Sequence, residues 1–231
     1  GFDFFLYFFF FFSNDFFSIK KFGFILFFFI SCESKNILAF SNGLSILELL
    51  GIIFFFDKKN FCNPYSYPNL SLTPANKPAN AYFKLLKAQT NWQHDSITLF
   101  GKTHLQPRLT ALYGNNNEPY TYSNITMKPI VFTKPLLDIK ADVEQLANHR
   151  FTSVLLNLYR FGDDSNGWHA DNEKELGIHP VIASVSFGAE RYFHFKHRTL
   201  KDQKHKLLLE HGSLLIMKGE MQAHWLHQIP K

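Results

Sequence analysis

Ser153-Val-Leu-Leu-Asn-Leu-Tyr-Arg160, followed by Phe161-Gly-Asp-Asp-Ser-Asn-Gly167 and then Trp168-His-Ala-Asp171, is the stretch on which the reading of this chain turns. The first segment is a strand of imperfect alternation, with Asn157 and Tyr159 on one face and Leu156 and Leu158 on the other. The second is a Gly/Asp/Asn loop. The third places an imidazole and a carboxylate two residues apart, on one face of an extended segment. Such a pair can hold one edge of a metal, and a distant His can close the triangle. Two His and one carboxylate on one face of an octahedron describe the facial triad of non-haem Fe(II) oxygenases, which leaves three positions open. His211, His224 and His227 all qualify as the distant ligand on spacing.

Outward from this stretch the chain reads as short strands: Val181–Phe187, Arg191–Lys196, Lys206–Leu209 and Ser213–Met217, with turns at Gly188-Ala189, Gly212 and Gly219. Before it, Ala79–Thr90 and Leu136–His149 carry the spacing of amphipathic helices, and Ile97–Phe100 is a short strand. Pro107 to Pro129, rich in Tyr, Asn and Pro, reads as a loop with irregular strands. Helices first and short strands later predict an α+β domain with a sandwich or jelly-roll core.

The 231 residues suffice for one large domain. Of the 28 Phe, 20 fall within residues 2–61, in runs such as Phe8 to Phe12 that lack the period of a packed element. Their apolar stretches fall short of the roughly 20 residues a spanning helix needs, and Asn14, Asp15, Lys20, Lys21 and Glu48 interrupt them. Nor is there a charged n-region or a small-residue cleavage site. Phe, Ile, Leu, Lys and Asn are what AT-rich non-coding DNA yields on translation, and position 1 is not Met. Residues 1–61 are therefore expected to be a low-complexity leader outside the natural folded domain.

The net charge is +5. The charges of residues 1–61 cancel, so the excess lies downstream and is densest from Arg191 to Lys206. A polyanionic partner and a solvated basic hairpin fit that run equally. Cys32 and Cys62 precede the chemistry-bearing half, which excludes a disulfide scaffold or a Cys-rich zinc site there.

Asn157-Leu-Tyr159, Gly167-Trp-His-Ala-Asp171, Pro180-Val-Ile-Ala-Ser-Val-Ser-Phe-Gly188, His211-Gly-Ser-Leu-Leu-Ile-Met217 and His224-Trp-Leu-His-Gln-Ile-Pro-Lys231 together resemble the AlkB family of Fe(II)- and 2-oxoglutarate-dependent dioxygenases. Upstream, Trp92-Gln-His-Asp95, Leu99-Phe-Gly-Lys102, Pro107-Arg108 and Tyr120-Thr-Tyr-Ser123 resemble that family's nucleotide-recognition lid. The resemblance covers residues 65–231. It implies a double-stranded β-helix (jelly-roll) core with N-terminal helices and a lid. It implies iron held by His169, Asp171 and His227, selecting His227 over the other two His, and 2-oxoglutarate held by Asn157 and Tyr159. The substrate contacts it implies are Phe100, Gly101, Lys102, Arg108, Tyr120, Thr121, Tyr122, Ser123 and Asn172. Tyr122 would stack on the flipped base, with His169 contributing on the other side, and Phe100 would wedge into the base stack beside Lys102.

The implied reaction removes N-methyl groups from bases of the 1-methyladenine and 3-methylcytosine type, using Fe(II), 2-oxoglutarate and O₂. Its partner would be alkylated DNA or RNA, met by a monomer with no membrane attachment of the catalytic domain. The implied compartment is intracellular: nuclear in a eukaryote, cytoplasmic in a bacterium. Two departures stand out. Asn172 replaces a common Asp, and no Arg follows Arg198, whereas the family's final strand supplies two Arg to the 2-oxoglutarate carboxylates. Without those guanidinium contacts, weak co-substrate binding and slow or negligible turnover are expected. The rival expectations are a catalytically impaired nucleic-acid-binding homologue and a different jelly-roll 2-oxoglutarate hydroxylase.

Overall fold

Strand pairing in this chain nests. In a computed structural model of the protein, the described residues are 4–11, 52–55, 79–99, 101–115, 120–122 and 125–231. Strands β9 (Ser153–Tyr159), β10 (Asn166–His169), β11 (Ile182–Gly188), β12 (Arg191–His197), β13 (Lys204–Leu209), β14 (Ser213–Met217) and β15 (Trp225–Ile229) follow one another in the second half. The innermost pair is β12 with β13; β11 pairs with β14 around it, and β10 with β15 around that, all antiparallel. Successive pairs fall alternately in two sheets, which is how a jelly roll closes. The α+β jelly-roll expectation holds.

The smaller sheet runs β10-β15-β12-β13. The larger one has seven strands and takes in β1 (Phe5–Phe11), β2 (Ile52–Phe55), β5 (Leu109–Gly114) and β8 (Ile130–Val131), in the order β2-β14-β11-β1-β9-β5-β8. Two hairpins stand apart from both sheets: β3 (Ser96–Leu99) with β4 (Lys102–Leu105), and β6 (Tyr120–Tyr122) with β7 (Ile125–Met127).

Phe5–Phe11, expected to lie outside the folded domain, is a central strand, antiparallel to both β9 and β11. The correction has a physical reason. A strand covered on both faces has no polar face to alternate with, so a continuous apolar run is what such a position selects. Phe5, Tyr7, Phe9 and Phe11 pack in the core between the sheets. Leu6, Phe8 and Phe10 pack under helices α1 (Ala79–Gln89) and α2 (Lys134–Ala147), which bring Tyr82, Phe83, Leu86, Leu136, Ile139 and Val143. Where β1 enters, a Cβ on Gly188 would stand 2.2 Å from the Phe4 carbonyl oxygen, so only glycine fits. The remainder of the Phe-rich leader, apart from β2, lies outside the described residues.

Both helices form where the periodicity places them, to within two residues. Pro107–Pro129 differs from expectation. Its first part is β5, paired along its whole length with β9. Leu109, Ala111 and Tyr113 lie on the helix-covered side and Leu112 on the other. The Asn115-Asn116-Asn117 run that follows lends the region the composition of a loop and masks this alternation. Among the described residues, no helix is long and apolar enough to cross a membrane.

Phe8 is fully buried against the Phe187 ring, 5.5 Å between centroids. Phe8→Ala is expected to lower unfolding free energy by about 3–5 kcal/mol in denaturant titration. A loss under about 1 kcal/mol would show that β1 does not occupy the middle of the sheet.

Candidate metal centre

The smaller sheet brings two imidazoles together edge to face. His169, the last residue of β10, is the register partner of His227 on β15, and their rings lie 4.2 Å apart. Asp171 sits beyond the end of β10, so the i, i+2 rule for a strand does not place it; the irregular backbone after His169 does. Its Oδ2 is 3.4 Å from His227 Nε2, and its Oδ1 is 3.8 Å from His169 Nε2. One donor atom from each residue falls within 4.8 Å of the others. His211 and His224 are not part of the group. His211 Nδ1 accepts from the Gly188 N–H, and His224 faces Glu220.

These residues fit a metal on three grounds. His227 is fully buried, and among the described residues neither of its ring nitrogens has a hydrogen bond; Asp171 Oδ2 is likewise without one. Buried polar atoms left in that state are rare and call for an ion or ligand. His169 Nδ1 lies 2.7 Å from the Gly167 carbonyl, which it can serve as donor, so that Nε2, 3.2 Å from Asn166 Nδ2 and 3.8 Å from Asp171 Oδ1, is the acceptor nitrogen. The donor set, two imidazoles and one carboxylate, suits iron with open positions.

Electrostatics agree. Burial first, and then His227, push His169 down to about 4, so the imidazole is neutral at pH 7 and ready to ligate. Burial works to raise Asp171, but the two imidazoles outweigh it and hold the carboxyl below its ordinary value. Glu173, two residues on, is pushed up to about 7 by burial and by the charge of Asp171.

The loop between β9 and β10 is held rigidly. Asp164 accepts a bidentate pair from Arg160, at 2.8 and 2.9 Å. Arg191 donates to the carbonyls of Asp164 and Pro230, joining this loop to the end of β15. Arg191 is thus a half-buried staple and no part of a solvated basic run. Lys196 lies over the Trp168 ring, 4.3 Å from its centroid.

Asn157 and Tyr159 are fully buried and face the core between the sheets. Neither is on the solvent side of an edge strand. Arg108 is buried too, and its Nε donates to Asn157 Oδ1 at 2.9 Å, which sets this expected substrate contact beside an expected co-substrate contact. Gly101, at φ +77°, turns the β3–β4 hairpin, with Lys102 exposed next to it. Tyr120, Thr121 and Tyr122 form β6, and Asn172 is exposed beside Asp171. Phe100 and Ser123 lie outside the described residues.

Sequence reasoning missed Gln222. This buried side chain comes from the helical turn Met221–His224 and accepts the backbone N–H of Asp171 at 2.9 Å. Its Nε2 lies 3.6 Å from Met217 Sδ. A lone Gln between candidate ligands carries no spacing signal, so nothing short of the fold singles it out.

Residues 65–231 match the 2OG-Fe(II) oxygenase superfamily model. The alpha-ketoglutarate-dependent dioxygenase alkB homolog 3 of Bos taurus is 42% identical over 164 residues, 67% of this chain and 57% of that one. Its Homo sapiens counterpart is 46% identical over 138 residues, 56% of this chain and 48% of that one. The DNA oxidative demethylase ALKBH2 of Arabidopsis thaliana is 36% identical over 181 residues, 65% of this chain and 56% of that one. The chain belongs to the 2OG-Fe(II) oxygenase superfamily and, within it, to the AlkB family. It spans about half the length of the curated relatives it matches.

Gln222→Leu is expected to weaken Co(II) uptake by roughly 10–100-fold while the protein stays folded, as loss of a group that orients a ligand does elsewhere. Unchanged affinity would remove Gln222 from the centre. A pH series tests His169. Its value in the fold lies below the ordinary 6.5, so the unfolded chain binds the extra proton between pH 6.5 and 4. Its contribution to stability is complete above 6.5 and shrinks on acidification toward 4. Glu173, raised in the fold, acts in the opposite sense. The melting-temperature difference between the metal-free wild type and His169→Gln should therefore decline from pH 6.5 to 4.

Proposed function

We propose that this chain oxidatively demethylates N-alkylated bases of the 1-methyladenine and 3-methylcytosine type in nucleic acid, as a monomer. The observation that carries the reading is the convergence of His169, Asp171 and His227 on one point between two sheets. The names of the relatives, dioxygenases and DNA oxidative demethylases, support the reaction type. Fe(II), 2-oxoglutarate and O₂ together supply a hydroxylating oxidant, and a hydroxylated N-methyl group leaves its base as formaldehyde.

The residues divide the work. His169, Asp171 and His227 would hold iron by one face, leaving the opposite face open. Asn157 and Tyr159 would orient the co-substrate from the larger sheet. A base inside a duplex is out of reach of a buried centre, so it must be extruded, at a cost smaller for damaged bases. The exposed β3–β4 hairpin, with Gly101 at its tip, suits that task, and Lys102 suits a phosphate. Tyr120, Thr121, Tyr122 and Ser123 would grip the extruded base. Arg108 and Asn172 would flank it, one anchored on Asn157 and the other beside Asp171.

A second reading, a nucleic-acid-binding homologue with impaired catalysis, has one specific observation in its favour. Phe5, Tyr7 and Phe9 of β1, Asn157 and Tyr159 of β9, and Ser184 and Ser186 of β11 face the core without a cation, and the buried Arg108 guanidinium beside them is engaged through Nε by Asn157.

Methylated single-stranded oligonucleotide, incubated with the protein, Fe(II) and 2-oxoglutarate, should release formaldehyde in proportion to enzyme. Asp171→Ala should cut that release by two orders of magnitude or more, roughly the scale of losing a reaction-centre group. Oligonucleotide binding without any formaldehyde would establish the second reading instead.

A further inference from the structure

A fourth side chain reaches the metal centre. Asn166 is the first residue of β10, three positions before His169. In a regular strand that spacing sends two side chains to opposite faces. Here the register with β15 shifts between them, so Asn166 lies across from Ile229 and His169 across from His227. Ile229 and His227 are both buried residues of the inward face of β15. One extra residue on β10 thus turns Asn166 and His169 to the same side, as a bulge does. The result is that Asn166 Nδ2 stands 3.2 Å from His169 Nε2.

The direction of that bond follows from the other edge of the ring. His169 Nδ1 is 2.7 Å from the Gly167 carbonyl, which only accepts. Nδ1 therefore carries the hydrogen, and Nε2 of the neutral ring keeps a lone pair. Only the nitrogen end of a carboxamide can donate to it. Nε2 is also the nitrogen left to hold an ion, 3.8 Å from Asp171 Oδ1. The ring nitrogens of His227 and Asp171 Oδ2, by contrast, have no hydrogen-bond partner among the described residues. A lone pair serves a proton donor or an ion, not both. The amide must leave before His169 can ligate.

We propose that Asn166 is a positioning residue of the metal centre: its carboxamide holds His169 Nε2 in the metal-free protein and competes with the ion for it. This goes beyond the functional reading above, on which it rests only for the presence of an ion. The bond compensates a nitrogen that burial would otherwise leave bare. It also fixes the imidazole from both edges, Nδ1 on Gly167 and Nε2 on Asn166, so the ring is oriented before any ion arrives. The same bond has to be broken on metal entry. One net hydrogen bond holds the affinity roughly 2–10-fold below that of an uncapped triad.

The full chain is titrated with Co(II), its visible absorption reporting the filled centre, beside Asn166→Leu, which keeps the shape of the side chain without the donor. Asn166→Leu should bind Co(II) roughly 2–10-fold more tightly. Long-range hydrogen–nitrogen correlation spectra of the metal-free wild type should show His169 protonated at Nδ1, with Nε2 an acceptor. In metal-free Asn166→Leu the Nε2 resonance should move to higher frequency while Nδ1 stays. A bond that merely pinned the start of β10 would leave Co(II) affinity unchanged or lower it. Equal or weaker binding by folded Asn166→Leu overturns the proposal, and so does a wild-type spectrum with the hydrogen on Nε2. If Asn166→Leu does not fold, Asn166→Ala decides by the same two readouts. A wild type that takes up no Co(II) sinks the metal reading, and the proposal with it. Equal uptake by wild type and variant sinks the proposal alone.

Discussion

The pairing of β10 with β15 is the constraint on which this molecule depends. It sets His169 directly across from His227, and it does so through backbone hydrogen bonds. The two imidazoles would repel one another if protonated and gain little from one another if neutral. What keeps them together is the ladder beneath them, the Phe193 ring stacked on His227, and the loop that Arg160, Asp164 and Arg191 hold in place. Gln222 then fixes the third ligand by its backbone. Each of these supports acts on a different strand end, and together they make a three-atom target out of three chain segments. This is the arrangement that a metal site on rigid elements requires.

The site was more legible in the sequence than the fold around it. His-x-Asp alone is a weak mark of a metal edge, and the Asn157/Tyr159 pair reads equally as a solvent-facing strand side; the motifs around them carried the reading. What spacing could not do was choose among His211, His224 and His227, because all three follow strands or turns of similar composition. Resemblance chose, and the register of β15 agrees: residues 225, 227 and 229 point inward and 224 lies outside the strand. Gln222 and Arg191 were illegible for a different reason. Their roles are made by backbone groups of distant segments, and backbone partners leave no trace in a sequence pattern.

β1 was unreadable because the usual signal for a strand is contrast between its two faces, and a strand in the middle of a sheet with both faces covered has none. The nesting explains why a strand is needed at that place. With β12 against β13, β11 against β14, and β10 against β15, the next pair outward must give β9 an antiparallel partner beside β11. β1 meets both demands, antiparallel to each neighbour, with large rings filling the space on either side. Apolar bulk suffices to hold that position in the sheet. It brings no charge to the core face, and there the chemistry of the pocket and the needs of the fold part company.

That separation bears on how stability and function are shared between the two cores. The helix-covered side of the larger sheet is aromatic and aliphatic throughout, with Tyr82, Phe8, Phe10 and Phe187 among its largest buried side chains. The core between the sheets carries serine hydroxyls from the larger sheet and, from the smaller sheet and the segment after β10, the unpaired nitrogens of His227 and Asp171 Oδ2, each an uncompensated group costing about 1–3 kcal/mol. Burial of a single Phe contributes a similar amount with the opposite sign. A row of rings on one face of β1, β9 and β11 can therefore offset a row of unsatisfied donors on the other. Several of the buried polar atoms without a partner among the described residues lie in the core that holds His169, Asp171 and His227. Apolar side chains fill both faces of the larger sheet, and the candidate ligands meet in the core between the two sheets.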